Sequence, residues 1–254
     1  MIREQRIDYI LGELKNKGVV SVSELTRVLE TSRSTIHRDL DDLAAQNLLQ
    51  CVRGGAVAVT PKASFEPSFK ARKSRFLEEK QRIARAALQF IQDDETIILD
   101  SGTTVHELAK LLSEARNLYI ATNDLHSAMS LSDNPNISVI VLGGILRTSH
   151  FSLNGLFTED ILRQIHADTT FLSIDAMDFD VGPMNFSMEE IPTKRLMLQA
   201  SQRTIILCDH SKFESVAFVN ICPLTQVDMI ITGRETAPEH LKRLEEAGIK
   251  VLTV

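Results

Sequence analysis

Tryptophan is missing from this chain, tyrosine occurs twice, and aromatic residues make up only 5% of its 254 positions. Ring packing cannot build such a core, so aliphatic side chains must fill it. Cysteine is scarce as well. Cys51, Cys208 and Cys222 are odd in number, scattered and without CxxC spacing, which argues against a disulfide scaffold or a zinc cluster. Each reads as a small buried hydrophobe. No pair among the seven histidines has metal-ligand spacing on one helix face, so neither a metal nor a cofactor is expected. Long apolar runs are absent too. "ISVIVLGGIL" falls far short of the ~20 residues that span a bilayer. The opening "MIREQRIDYILGELKNKG" is interrupted by charge every few residues, unlike a signal peptide or anchor. A cytoplasmic protein with no membrane partner is expected.

What is present is an ordinary globular composition, 43% hydrophobic and 24% charged. The length suffices for two domains of about 100–200 residues each. The net charge of −6 is unevenly spread. Residues 1–60 carry eight basic and eight acidic side chains, residues 61–85 carry eight and three, and residues 86–254 carry 12 and 23. Such asymmetry fits a nucleic-acid-facing N-terminal part on an acidic body, or a solvated basic linker.

Ile7, Ile10, Leu11 and Leu14 recur at i, i+3, i+4, i+7 and predict one amphipathic helix, stopped by Gly18. "VVSV" is a short β-like step. Ser23 is placed to cap a second helix, "ELTRVLE", with Leu25, Val28 and Leu29 inward. Ser32 is placed to cap a third, "RSTIHRDLDDLAAQN", with Ile36, Leu40 and Leu43 inward. Two short helices around a tight turn predict a helix-turn-helix. Ser32, Arg33, Ser34, Thr35, His37 and Arg38 then form the start and outer face of the recognition helix, suited to base edges and phosphates. "LLQCV", "RGG" and "AVAV" predict a wing with Arg53 at its tip, able to reach the DNA backbone. A three-helix module of this kind can also serve protein interaction.

"VSVSELTRVLETSRSTIHRDLDDLAAQNLLQCVRGGAV" resembles the N-terminal domain of the DeoR family of bacterial sugar-responsive repressors. Thr35, Ile36, Arg38, Asp39, Leu40, Gly54, Gly55 and Ala56 match the family pattern. His37 stands where that family usually has Arg, Asn47 where Gly is common, Cys51 where a basic residue is usual and Arg53 where His is common.

Residues 1–59 are thus expected to be a winged helix-turn-helix, 60–76 a linker of mixed Pro, Ser and Lys, and 77–254 a sensor domain. In this last part, helix-like runs alternate with continuous apolar runs such as "ETIILD", "NLYIAT", "TTFLSID" and "RTIILCD". That pattern predicts a mainly parallel α/β sheet, whose ligands sit at the C-terminal strand ends. Those ends carry Asp100-Ser101-Gly102-Thr103-Thr104, Asn123, Asp175 and Lys212. Together they could hold one polar ligand, with the backbone amides of the first turn facing an anion. Taken singly, Thr104 and Asn123 could equally be helix caps.

"DSGTT", "ATNDL", "VLGG" and "CDHSKF" resemble the sensor domain of the same family, which is similar to ribose-phosphate isomerases. "MNFSMEEIPTKRLM" resembles its Glu…Lys segment, which adds Glu190 and Lys194 to the effector-binding set. This wording leans toward the deoxyribonucleoside-responsive branch, whose effector is a deoxyribose phosphate. The isomerases carry an acidic cluster where this chain has "LSIDA", with only Asp175 retained and Leu172 and Ala176 at two acidic positions. Proton transfer loses its carriers there, so binding rather than turnover is expected. The resemblance implies a repressor of a carbohydrate or nucleoside catabolic operon. Its partners would be double-stranded operator DNA and a phosphorylated sugar, and it would act as a homo-oligomer, dimeric or larger. The alternative is an isomerase-like enzyme fused to a DNA-binding module.

Overall fold

Ile7, Ile10 and Leu14 share one face of α1 (Arg3–Lys17), and all three are buried. The computed structural model describes residues 2–45, 48–58, 66–112 and 117–254. It divides the chain into two compact units, Met1–Pro61 with Lys70–Phe76, and Lys62–Phe69 with Leu77–Val254.

In the first unit α1 is followed by β1 (Val19–Ser21), α2 (Val22–Val28), α3 (Arg33–Ala45), β2 (Leu49–Val52) and β3 (Gly55–Ala58). The strands form an antiparallel sheet in the order β1-β3-β2. This is a winged helix-turn-helix. Its core joins Ile10, Leu14, Val20, Leu25, Ile36, Leu40, Leu43 and Leu49.

Two details differ from the expectation. Ser21 rather than Ser23 caps α2, with Ser21 Oγ accepting from the Glu24 amide at 3.2 Å. The earlier start means that Val22 and Leu25 carry the buried face, while Val28 is 39% exposed. Cys51 is also exposed, on the wing, unlike the buried Cys208 and Cys222. β2 is buried only at Leu49, and from Gln50 to Val52 it runs out into the solvated hairpin, so Cys51 is exposed although it shares the Leu49 face.

Gly55 sets how closely the wing packs. A Cβ built there would lie 2.0 Å from the Val20 carbonyl oxygen, which is backbone and cannot swing aside. Gly55→Ala is expected to prise β3 from β1 and destabilise this unit by about 1–3 kcal/mol, the usual range for overpacking. Chemical denaturation of the variant checks this.

The residues read as a linker are only partly described, since 59–65, like Asn47, lie outside the described residues. From Glu66 on the chain is not featureless. Phe69–Ser74 forms a short helix, α4, whose six residues are too few to show a periodic pattern.

The second unit continues with α5 (Leu77–Ala87), β4 (Thr96–Leu99), α6 (Thr103–Leu111), β5 (Leu118–Thr122), α7 (Leu125–Leu131) and β6 (Ile137–Val141). A hairpin of β7 (Ile145–Arg147) and β8 (Ser152–Asn154) precedes α8 (Leu156–Leu162) and β9 (Ala167–Leu172). Then come β10 (Ala176–Asp178), β11 (Gly182–Asn185), α9 (Ile191–Gln199), β12 (Ser201–Leu207) and β13 (Val219–Asn220). The chain closes with β14 (Met229–Thr232), α10 (Pro238–Glu246) and β15 (Lys250–Thr253).

Seven strands make one parallel sheet in the order β15-β14-β12-β9-β4-β5-β6. Its strands are apolar on both faces because both are covered. Ile97, Leu99, Ile205 and Leu207 pack with Ile83, Val105 and Leu108 of α5 and α6. Ile98 meets Leu162 and Met197 of α8 and α9, while Ile206 and Ile230 pack with Leu244 of α10. Numbering runs outward in opposite senses from β4 and β9, so the switch point, where such sheets place ligands, lies between them.

Candidate functional site

The residues expected to face DNA lie on α3. Ile36 and Leu40 are buried at 0% and 1%, which turns Arg33, Ser34, His37, Arg38 and Asp41 outward. Ser32 Oγ accepts from the Thr35 amide at 3.2 Å and lies 2.8 Å from the hydroxyls of both Ser34 and Thr35. The start of α3 is thereby fixed. Arg33 and Arg38 make no ion pair or hydrogen bond among the described residues, and their guanidinium groups remain available. Arg53 is exposed at the tip of the β2–β3 hairpin. Asp39, a motif residue in the sequence, is 2% exposed and accepts from Arg6 Nε at 2.8 Å, which ties α3 to α1.

In the second unit the predicted residues other than Lys212 gather around the switch point. β4 ends in Asp100, which is 1% exposed. One of its oxygens, Oδ2, accepts from the Ser173 amide beyond β9 at 2.9 Å and from Lys194 Nζ of α9 at 2.5 Å. The same ammonium donates to the Ser173 carbonyl at 3.0 Å. Burial alone would strip Lys194 of its proton. The nearby carboxylates of Asp100, Glu190 and Asp175 reverse that, and its pKa is raised. The other oxygen, Asp100 Oδ1, is buried with no hydrogen-bond partner among the described residues.

Ser101 follows. Its amide donates to Asn123 Oδ1 at 3.0 Å and its hydroxyl to Asp124 Oδ2 at 3.1 Å. Asn123 therefore ties two strand ends together. The cap of α7 is Asp124, whose Oδ1 accepts from the Ser127 amide at 2.6 Å. Gly102 brings the turn against the end of β9, where a Cβ would lie 2.1 Å from Ser173 Oγ. No side chain caps α6, so Thr103 and Thr104, both buried, open the helix with first-turn amides facing the turn.

Glu190 stands just before α9 and is fully engaged. Its Oε1 accepts from Arg147 Nη1 at 2.6 Å and Ser152 Oγ at 2.7 Å, and its Oε2 from Asn185 Nδ2 at 2.9 Å. Burial by itself would raise this carboxyl's pKa. Lys194, Arg147 and the two neutral donors outweigh it and hold the value at about 2. The folded-state value thus lies below the ordinary 4.5. The stabilisation is complete above pH 4.5 and is lost as pH falls through that value toward about 2. Glu190→Gln is expected to flatten the stability profile across that window, measured by denaturant titration at successive pH.

Asp175 is buried and accepts from the Phe186 amide at 3.0 Å, and it adds to the negative field on Lys194. Lys212 stands apart. It sits half-buried in the turn His210–Glu214 after β12 and shares no hydrogen bond or ion pair with the other predicted residues. Arg147, Ser152, Ser173 and Asn185 were not anticipated. They hold the predicted residues across long sequence separations, and no local pattern marks them.

Among the described residues no helix is long and apolar enough to cross a membrane. Comparison with known proteins covers both units. Residues 6–62 match the family model of the DeoR-like helix-turn-helix domain, and residues 75–234 that of the DeoR C terminal sensor domain. The chain is 34% identical over 247 residues to the HTH-type transcriptional regulator GolR of Listeria innocua, covering 97% of each chain. It is 35% identical over 232 residues to the Glycerol-3-phosphate regulon repressor of Escherichia coli, covering 91% of each. Among solved structures it is similar to a D-ribose-5-phosphate isomerase in complex with phospho-erythronic acid, at 19% identity, a TM-score of 0.40 and 54% of each chain covered.

Proposed function

The chain belongs to the DeoR family of DNA-binding transcriptional regulators, and from that premise we propose that it represses a carbohydrate or nucleoside catabolic operon and is released from its operator by a phosphorylated sugar. As such a regulator it is not an enzyme. The operator is read by Arg33, Ser34, His37 and Arg38, with Thr35 and Ser32 holding the helix start and Arg53 reaching the backbone from the wing. It works in the cytoplasm.

One observation carries the effector reading. Asp100 Oδ1 is buried with no hydrogen-bond partner among the described residues, beside the open first turn of α6. A ligand offering a hydroxyl to that oxygen and a phosphate to the amides of Gly102, Thr103 and Thr104 satisfies both at once. A neutral sugar satisfies only the first. The name of the Escherichia coli relative, a regulator of the glycerol-3-phosphate regulon, agrees with a small phosphorylated carbohydrate. Ser101 and Asn123 shape the turn, Lys194 and Glu190 fix Asp100 and its surroundings, and Asp175 supports the field on Lys194. Lys212 supplies a further cation to the ligand.

The protein acts as a homo-oligomer that reads two half-sites one or more helical turns apart. The effector must bind the two arrangements unequally, and an affinity ratio of about 10–100 supplies roughly 1.4–2.7 kcal/mol per site. Operator binding is expected to fall on adding the correct sugar phosphate and to ignore its unphosphorylated parent. Lys212→Ala should leave operator affinity intact and shift the inducing concentration upward by about tenfold. Anisotropy titrations with labelled promoter DNA test both. An equal response to parent and phosphate defeats the assignment.

A further inference from the structure

Arg147 joins two carboxylates that belong to different parts of the chain. Its Nη1 donates to Glu190 at 2.6 Å, and its Nη2 donates to Glu66 at 2.7 Å. Glu190 is part of the candidate effector site, through its field on Lys194. Glu66 lies in the stretch of chain that follows the DNA-binding module in sequence. Glu66 is itself well held. Its side chain is 8% exposed, and its Oε1 lies 3.2 Å from His150 Nε2.

Three residues on, the Phe69 amide donates to the Ser149 carbonyl at 3.1 Å. The Phe69 ring stacks on His126 at 4.3 Å, and Phe151 stands edge-on to it at 6.0 Å. Residues 66–69 are thus clamped at both ends onto the β7–β8 hairpin. The same hairpin supplies Ser152 to Glu190, and the Leu153 carbonyl accepts from Asn123 Nδ2 at 3.3 Å. The β7–β8 hairpin thus touches the candidate effector site on one side and residues 66–69 on the other.

We propose that Arg147 is a positioning residue that couples effector occupancy to the clamp on residues 66–69. This rests on the reading of Gly102–Thr104 as an anion site. An anion on that turn competes with Asp100 and Glu190 for the ammonium of Lys194. Glu190, less compensated by Lys194, then draws more strongly on Arg147. A guanidinium fork has a fixed geometry, so a shift toward one carboxylate weakens its hold on the other. Glu66 is the one that yields.

Amide hydrogen exchange on the full-length chain, with inorganic phosphate as the probe, tests the coupling. In the wild type, phosphate is expected to slow exchange at Gly102–Thr104 and to speed exchange of the Phe69 amide by about fivefold or more, the lower end of ordinary coupling. Glu66→Gln is expected to keep the first response and lose the second. Arg147→Lys keeps the charge without the fork, and is expected to lose the second response too. Protection at Gly102–Thr104 with Phe69 unmoved in the wild type overturns the coupling and leaves the effector site standing. An unchanged Phe69 response in both variants also overturns it. Absence of protection at Gly102–Thr104 removes the anion site and the coupling together.

Discussion

Lys194→Met is expected to destabilise the sensor unit by about 3–5 kcal/mol, the cost of leaving one member of a buried ion pair without the other. Lys194 and Asp100 are 2% and 1% exposed, so water cannot replace the lost partner. The Ser173 carbonyl loses a donor in the same step, and Glu190 loses one of its two compensating cations and keeps only Arg147. A methionine fills the volume of the lysine stem, which isolates the electrostatic part of the loss from cavity formation. Asp100→Asn in the same background should recover part of the loss, because a neutral amide oxygen still accepts from the Ser173 amide. Urea unfolding at neutral pH reads both variants, with an unchanged m-value showing that the unfolded state is the same. A loss below about 1 kcal/mol for Lys194→Met is the range of an exposed pair, and would mean that the pair does not hold the switch point.

Arg38→Ala has the second large effect, on binding rather than stability. Its side chain is exposed and makes no hydrogen bond or ion pair among the described residues, so stability should stay within the ±0.5 kcal/mol usual for surface changes. Operator affinity should fall by about 10–100-fold, the 1–3 kcal/mol of a base-edge contact. The salt dependence separates two roles. If Arg38 reads a base, the variant relaxes specificity at one operator position and keeps the slope of log affinity against log salt. If it neutralises a phosphate, affinity drops on all sequences and the slope shrinks by about one. Full affinity in the variant would remove Arg38 from the interface.

How far these sites were legible in the sequence depended on the range of the interactions that make them. Helix periodicity and the capping serine placed Ile36, Leu40 and the outer face of α3, because those contacts are local. Continuous apolar runs announced a covered parallel sheet, and polar residues at their ends pointed to Asp100–Thr104 and Asn123. The start of α2 was misplaced by two residues, although Leu25 and Leu29 are buried as expected, because Ser21 and Ser23 are equivalent as caps until a fold chooses between them. The pairing of Lys194 with Asp100, both expected singly, and the role of Arg147 stayed hidden for another reason. Lys194 reaches Asp100 across 94 positions and Arg147 reaches Glu190 across 43, distances over which one sequence carries no periodic signal. Lys212 was legible as a strand-end cation, and its geometry, free of ties to the others, sets it apart from the interlocked group.

The order of strands across the sheet has a consequence for how the chain is made. The winged unit completes its three-stranded sheet within the first 58 residues. β4 waits much longer, since Ile97 pairs with Thr169 on β9, roughly 70 residues later. At a synthesis rate of about 5–20 residues per second, that wait is on the order of 4–14 s. A ribosome-bound chain therefore carries the complete three-stranded wing sheet well before the seven-stranded sheet of the second unit can close. Until β9 emerges, the apolar flank of β4 has no neighbour on that side, which makes this interval the one in which chaperone binding or aggregation competes with folding.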